Sequence, residues 1–138
     1  ALGAQVVAAA SSPEKLEAAI RAGADATVAY PGEMDVDAQR SFGASLKATV
    51  GAEGFDLIID PVGGPYAEPS LRNAGWGARY LVVGFTAGIP RLPLNLPLLK
   101  GCDIRGIFWG DALRRDPQIF ARQIGAMLPY LRSGALRP

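Results

Sequence analysis

Short runs of almost uninterrupted apolar residues, each closed by a turn-forming residue, constrain this chain more than any other feature. The clearest is Phe55-Asp56-Leu57-Ile58-Ile59-Asp60, ended by Pro61. Residues 5–10 (QVVAAA), 26–30 (ATVAY), 79–84 (RYLVVG) and 103–109 (DIRGIFW) repeat the pattern. Runs of this length, with β-branched residues and without polar alternation, read as strands buried on both faces, as in a parallel sheet. Helix patterns lie between them. Ser12 followed by Pro13 predicts a helix start, with Leu16, Ala19 and Ile20 on one face and Gly23 as its stop. Residues 35–50 place Phe42, Leu46 and Val50 at four-residue spacing. A helix is predicted over 66–74, with Pro69 moving its start toward that residue. Residues 85–101 read as a Pro-rich connection and 116–132 as a terminal helix with Ile119, Phe120, Ile124, Met127 and Leu128 inward. Strands alternating with helices predict an α/β fold, a Rossmann-like doubly wound parallel sheet.

Composition narrows the function classes. The 138 residues suffice for one domain, and a net charge of +1 gives no general pull toward nucleic acid or an anionic membrane. No apolar run approaches the length of a membrane span. Histidine is absent, which removes imidazole metal ligands and histidine-based triads from this stretch. Cys102 stands alone and reads as a small buried apolar residue in a reducing, cytoplasmic compartment. The chain starts without Met, on Ala1-Leu2-Gly3, which reads as the tail of a helix running into a strand. The expectation is a domain whose first strand lies upstream.

Folds of this class bind ligands at the carboxyl ends of their strands. The first predicted strand ends in Ala10-Ser11-Ser12, with Lys15 one turn into the helix. NAD-binding domains place a carboxylate there for the ribose 2′-hydroxyl; hydroxyls, an ammonium and helix-start amides instead favour a 2′-phosphate, hence NADPH. The plainer alternative is that Ser12 only caps a helix and Lys15 is solvated. Tyr30 ends the second strand and either lies against the adenosine side of a cofactor or is a surface ring beside Pro31-Gly32. After the strongest strand come Val62, Gly63 and Gly64, whose glycines let backbone approach a flat ligand, or simply make a tight turn. Asp60 is placed to anchor that turn through backbone amides. Val83, Gly84, Phe85 and Thr86, with Phe108, Trp109 and Gly110, offer apolar faces and free backbone groups suited to a nicotinamide ring, or ordinary core packing. No catalytic side chain, metal cluster or glycine-rich dinucleotide fingerprint is found, and Arg114-Arg115 reads as a solvated loop. FDLIIDPVGGPY also resembles the Asp/Asn-Pro-Pro-aromatic motif of S-adenosylmethionine-dependent methyltransferases, but Val62 replaces the second proline and the aromatic comes late, at Tyr66.

Taken in order, ALGAQVVAAASSPEKLEAAIRAGAD, VAY, GFDLIIDPVGG, WGARYLVVGFTAGIPRLPLNLPLLKG and DIRGIFWG resemble the zinc-independent quinone oxidoreductase branch of the medium-chain dehydrogenase/reductase superfamily, over nearly the whole chain. The resemblance implies a partial NADP-binding Rossmann domain over 1–138, lacking its first strand and glycine-rich loop, with the GroES-like catalytic domain outside the chain. It implies hydride transfer from NADPH to a quinone or α,β-unsaturated carbonyl. Ser11 and Lys15 would meet the 2′-phosphate, Tyr30 the adenosine phosphate region, Gly63-Gly64 the underside of the cofactor, and 83–86 with 108–110 the nicotinamide. It also implies a homodimer joined through the edge strand 103–109. A chain without the glycine loop is expected to bind NADPH weakly and to be inactive by itself. A methyltransferase domain and a non-catalytic Rossmann-fold binding protein are the alternatives.

Overall fold

The sequence-predicted strands run parallel. In a computed structural model, which describes residues 3–137, β1 (Val7–Ala10) pairs with β2 (Ala26–Ala29), and β3 (Phe55–Asp60), β4 (Ala74–Val82) and β5 (Asp103–Gly106) form a second sheet in that order. The parallel α/β class is as expected. The expectation for Ala1 and Leu2 lies outside the described residues. Residues Val7–Ile107 form one unit; a second is formed by the described residues of 1–6 and of 108–138.

Local chemistry explains most of the helices. Helix α1 (Pro13–Arg21) starts at Ser12, whose hydroxyl accepts from the Lys15 amide at 3.4 Å, with Pro13 at the first position. Helix α2 (Val36–Val50) is capped by Asp35, which accepts from the Ala38 amide at 2.8 Å. Pro69 turns out to be compatible with a helix. A short 3-10 turn, Gly64–Tyr66, leads into α3 (Ala67–Arg72), so Pro69 falls in the first turn, where amides have no intrahelical partner. The Pro-rich connection hides a further helix, α4 (Asn95–Lys100), by the same logic at Pro97; Gly101 closes it in the left-handed conformation.

Two apolar clusters hold the larger unit. Phe42 and Leu46 of α2 pack with Val28 and Tyr66, reaching Val7 of β1 and Phe55 of β3, so one helix face bridges both sheets. Leu71 of α3, Tyr80 of β4, Leu96 of α4 and Cys102 form the second, over Ile58 and Val82. Asn73 ties α2 to α3, its amide donating to the Gly43 and Pro69 carbonyls. Coverage of the β3–β5 sheet on both faces was expected. Instead Leu57 and Ile59, pointing away from Ile58 and the second cluster, are exposed, Ile59 to 63%.

The last predicted strand is shortened. β5 stops at Gly106, and Trp109 and Gly110 open a helix, α5 (Trp109–Arg115). Asp111 explains the change: in the helical turn its carboxylate pairs with Arg114 at 2.7 Å and Arg115 at 2.6 Å, so the predicted arginine loop is helical. Helix α6 (Gln118–Arg132) follows. Its apolar stripe, predicted inward, is largely exposed, with Phe120 at 53% and Met127 at 42%; the second unit offers it little to bury against.

Candidate cofactor site

Four strand ends of the larger unit come together. Ala10, at the end of β1, accepts from the Tyr30 amide at 3.1 Å, setting Ser11 and Ser12 beside the end of β2. The loop after β2 is tied to the segment after β3 by the Tyr66 hydroxyl, which donates to the Pro31 and Gly32 carbonyls, both at 3.0 Å. The loops after β3 and β4 are tied to each other. Ala87 donates its amide to Val62 at 2.8 Å, Gly64 to Gly88 at 2.7 Å, and Val83 to the Asp60 carbonyl at 2.8 Å. Ser11, Ser12, Lys15, Tyr30, residues 62–64 and residues 83–86 thus share one edge. Phe108, Trp109 and Gly110 lie in the other unit, before and within the first turn of α5.

The two ends of this edge differ in build. At the α1 start, Ser11 and Lys15 are exposed, and neither the Ser11 hydroxyl nor the Lys15 ammonium has a partner among the described residues. Glu14, overlooked by the sequence argument, also sits there. Its own backbone amide, and then the Ser12 hydroxyl, hold its carboxyl below the usual range, so an anion already uses donors that a phosphate would want. Tyr30 is not a surface ring. It is half-buried, its centroid 4.7 Å from that of Tyr66 and 5.7 Å from that of Phe42. Burial chiefly, then Tyr66 and the charge of Asp60, push its phenol up.

The far end rests on the buried Asp60 and Gly63, while residues 85–89 of the loop after β4 are exposed. Gly63 and Gly64 adopt φ of 67° and 53°, where a side chain is strained. A Cβ on Gly63 would lie 2.8 Å from the Gly88 carbonyl oxygen, and one on Gly64 would overlap the Ala87 carbonyl. The glycines therefore serve loop-on-loop packing in their own right. Asp60, 8% exposed, anchors the turn as expected: one oxygen accepts from the Val62 and Gly63 amides, both at 2.8 Å. Its other oxygen accepts from the Tyr80 hydroxyl at 2.5 Å, a partner the sequence reading missed. The signal was available: Ala78, Tyr80 and Val82 alternate toward the core, and a buried phenol needs an acceptor. Thr86 reaches the Pro61 carbonyl only at 3.5 Å, and Val83 and Phe85 are exposed on the outer side of the loop.

No group of three or more His, Cys, Asp or Glu is placed to hold a metal among the described residues, and the chain has no histidine. No helix among them is long and apolar enough to cross a membrane.

Comparison with known proteins identifies the family and the fold. The family model described as "Zinc-binding dehydrogenase" matches residues 1–125. The rat "Quinone oxidoreductase-like protein 2" is 36% identical over 98% of this chain, which covers 37% of that protein. This chain spans 35 to 38% of the length of the curated relatives it matches. A mycobacterial protein solved as a complex with NADPH superposes with a TM-score of 0.79 at 20% identity, over 98% of this chain and 41% of that one. The nucleotide-binding subdomain of the enoylreductase domain of PpsC, from Mycobacterium tuberculosis, gives 0.76 at 19% identity, over 99% of this chain and 73% of that one. These superpositions establish the Rossmann-like fold. The family name mentions zinc, but the donor set here does not fit a zinc site, so no step is assigned to the metal. An oxidoreductase family also sets aside the methyltransferase reading. The chain belongs to the zinc-binding dehydrogenase family, as a quinone oxidoreductase-like member of the medium-chain dehydrogenase/reductase superfamily.

Proposed function

We propose that this chain is the NADP-binding part of a longer, zinc-independent oxidoreductase that reduces a quinone or an α,β-unsaturated carbonyl. The observation that carries the reading is the single edge formed by four parallel strand ends, with a cation and hydroxyls at one side and a cross-tied, glycine-built pair of loops at the other. When bound, NADPH would supply a hydride. In this reading Ser11, Ser12 and Lys15 hold the 2′-phosphate, and Tyr30 flanks the adenosine side. Residues 62–64 and 83–86 support the ribose and nicotinamide. None of these residues is assigned a proton or a bond in the chemistry; their work is orientation and exclusion of water.

The full-length protein is expected to oxidise NADPH faster than NADH with a panel of quinones and enones, and to keep that activity after chelation. No turnover with any acceptor would sink the oxidoreductase reading; loss on chelation would sink zinc independence. The 138 residues alone contain no glycine-rich fingerprint, and calorimetry on them is expected to give NADPH binding weaker than millimolar. A dimer through the outer edge of β5, in a cytoplasmic protein, belongs to the same proposal. That edge strand is exposed along its length and has one neighbour, β4. A monodisperse monomer of the full-length protein in solution would remove the dimer.

A further inference from the structure

Asp60 is a nearly buried carboxylate with no ion-pair partner among the described residues. Two backbone amides and one phenol replace the water it has lost. Uncompensated, a buried carboxylate is costly, so each of these donors matters to where the group sits. The two amides belong to the loop after β3. The phenol belongs to Tyr80, which is fully buried on β4 and fixed in the core by Leu71, Leu96 and Cys102. The Asp60 carbonyl also accepts the Val83 amide, where the loop after β4 begins. One residue therefore ties both loops to the core, and Tyr80 is the only side chain that holds its carboxylate among the described residues.

We infer that Tyr80 is a positioning residue: through Asp60 it locks the loops at 61–64 and 83–88 into one rigid ledge, which sets how the cofactor lies. The effect on NADPH rests on the proposed cofactor reading; the ordering of the loops does not. Tyr80→Phe keeps the ring and deletes one donor to a charged acceptor.

In the full-length protein, Tyr80→Phe is expected to raise the KM for NADPH about tenfold and leave the KM for the acceptor unchanged. Hydrogen exchange should quicken at the Val62, Gly63, Gly64 and Ala87 amides while the amides of the β3–β4 ladder keep their protection. A purely structural role would instead lower the amount of active enzyme at constant KM, or quicken exchange everywhere. Either result, or unchanged loop amides, overturns the inference. If wild type shows no saturable NADPH binding, the functional reading fails, and the exchange pattern alone decides for or against Tyr80.

Asp60→Ala supplies the second arm. If Tyr80 acts through Asp60, adding Tyr80→Phe to Asp60→Ala causes no further loosening of the loops, and relieves a phenol left without its acceptor; additive effects refute the pathway. Should Tyr80→Phe not fold, Asp60→Asn keeps the volume and one acceptor for both amides, but removes the charge and sets an NH2 donor against the Tyr80 hydroxyl, which then can no longer donate to it. A KM increase of about threefold with the same local exchange is then expected, and no change overturns the inference.

Discussion

The two ends of the candidate cofactor edge solve different problems with different means. The ledge after β3 and β4 is cross-tied by backbone bonds over a buried carboxylate, and depends on two glycines. The start of α1 is exposed, held by a long cap bond, and carries a hydroxyl and an ammonium without partners among the described residues, beside a carboxylate. Shape is fixed on the ledge, where the proposal sets backbone against the cofactor. Charge is left exposed at α1, where the proposal puts the 2′-phosphate. Substitutions on the ledge should therefore act through shape, on folding or on the order of the loops, and be insensitive to salt, and those at α1 through charge, weakened by salt.

The largest expected effect tests the rigidity of the ledge. Gly64→Ala places a Cβ onto the Ala87 carbonyl at a positive φ, and neither backbone can move without breaking the Gly64–Gly88 and Ala87–Val62 bonds. A loss of about 3–4 kcal/mol in urea unfolding is expected, combining left-handed strain with overpacking. A loss below about 1 kcal/mol would mean that the loops yield, and the contrast with α1 would collapse.

Next in size is an alkaline effect confined to the ledge. Burial, then the bond to Asp60 and its charge, push the Tyr80 phenol far above its ordinary value of 10.0. A pKa raised on folding stabilises fully below the unfolded value and is lost as pH climbs above it. Stability should thus be intact up to about pH 10 and fall by about 1.4 kcal/mol per pH unit beyond, for this group alone. Of the four tyrosines, Tyr80 should ionise only when the fold is lost, as read by tyrosinate absorbance against circular dichroism. Complete titration of all four before unfolding would show that the Asp60–Tyr80 link is not held.

These two effects also mark what could be read from sequence. Phe55–Asp60 and the Ser12-Pro13 helix start were legible because each rests on neighbours: an apolar run ended by Pro61, and a cap followed by a proline. The Asp60 turn was legible for the same reason, its acceptor lying two and three residues from its donors. For Tyr80 the alternation discloses a buried phenol in need of an acceptor, but not which acceptor. The bond joins residues twenty apart, and exists only once the register sets Asp60 opposite Val82. Gly63 and Gly64 were found, but the contact that demands them is the loop after β4, which no spacing discloses. The end of β5 was misjudged because Ile107, Phe108 and Trp109 continue an apolar run whether the backbone extends or coils, and the deciding group, Asp111, comes later. The exposed stripe of α6 keeps its helical period, but period says nothing about whether a partner surface is present.

The third effect is smaller and lies at the other end. Lys15→Ala in the full-length protein should weaken NADPH about tenfold, leave NADH nearly unchanged, and show a shrinking difference as salt rises, since the ammonium is exposed. Unfolding should be unaffected, because Lys15 contributes only its amide to the cap. Equal losses for both nucleotides would remove the phosphate role and leave α1 as an ordinary capped helix.

Glu14 gives the smallest and most discriminating effect, because folding and binding should move in opposite directions. Its carboxyl draws on the α1 start through its own amide and Ser12, which holds its pKa down. That contribution to folding is present above the ordinary value of 4.5 and is lost as pH falls through the depressed one. Glu14→Gln removes an anion from the site where a phosphate would sit, so NADPH should bind about twofold more tightly while NADH is unmoved. At the same time the helix loses a favourable charge at its positive end, and the midpoint of thermal unfolding should drop slightly at pH 7, a drop that vanishes as pH falls through the depressed value and the carboxyl of the parent protein is protonated as well. Binding weakened by Glu14→Gln would mean that the carboxylate itself contacts a ligand hydroxyl, as in an NAD-type site. The preference for a 2′-phosphate would then have to be abandoned, while the ledge, which makes no use of that charge, would stand unchanged.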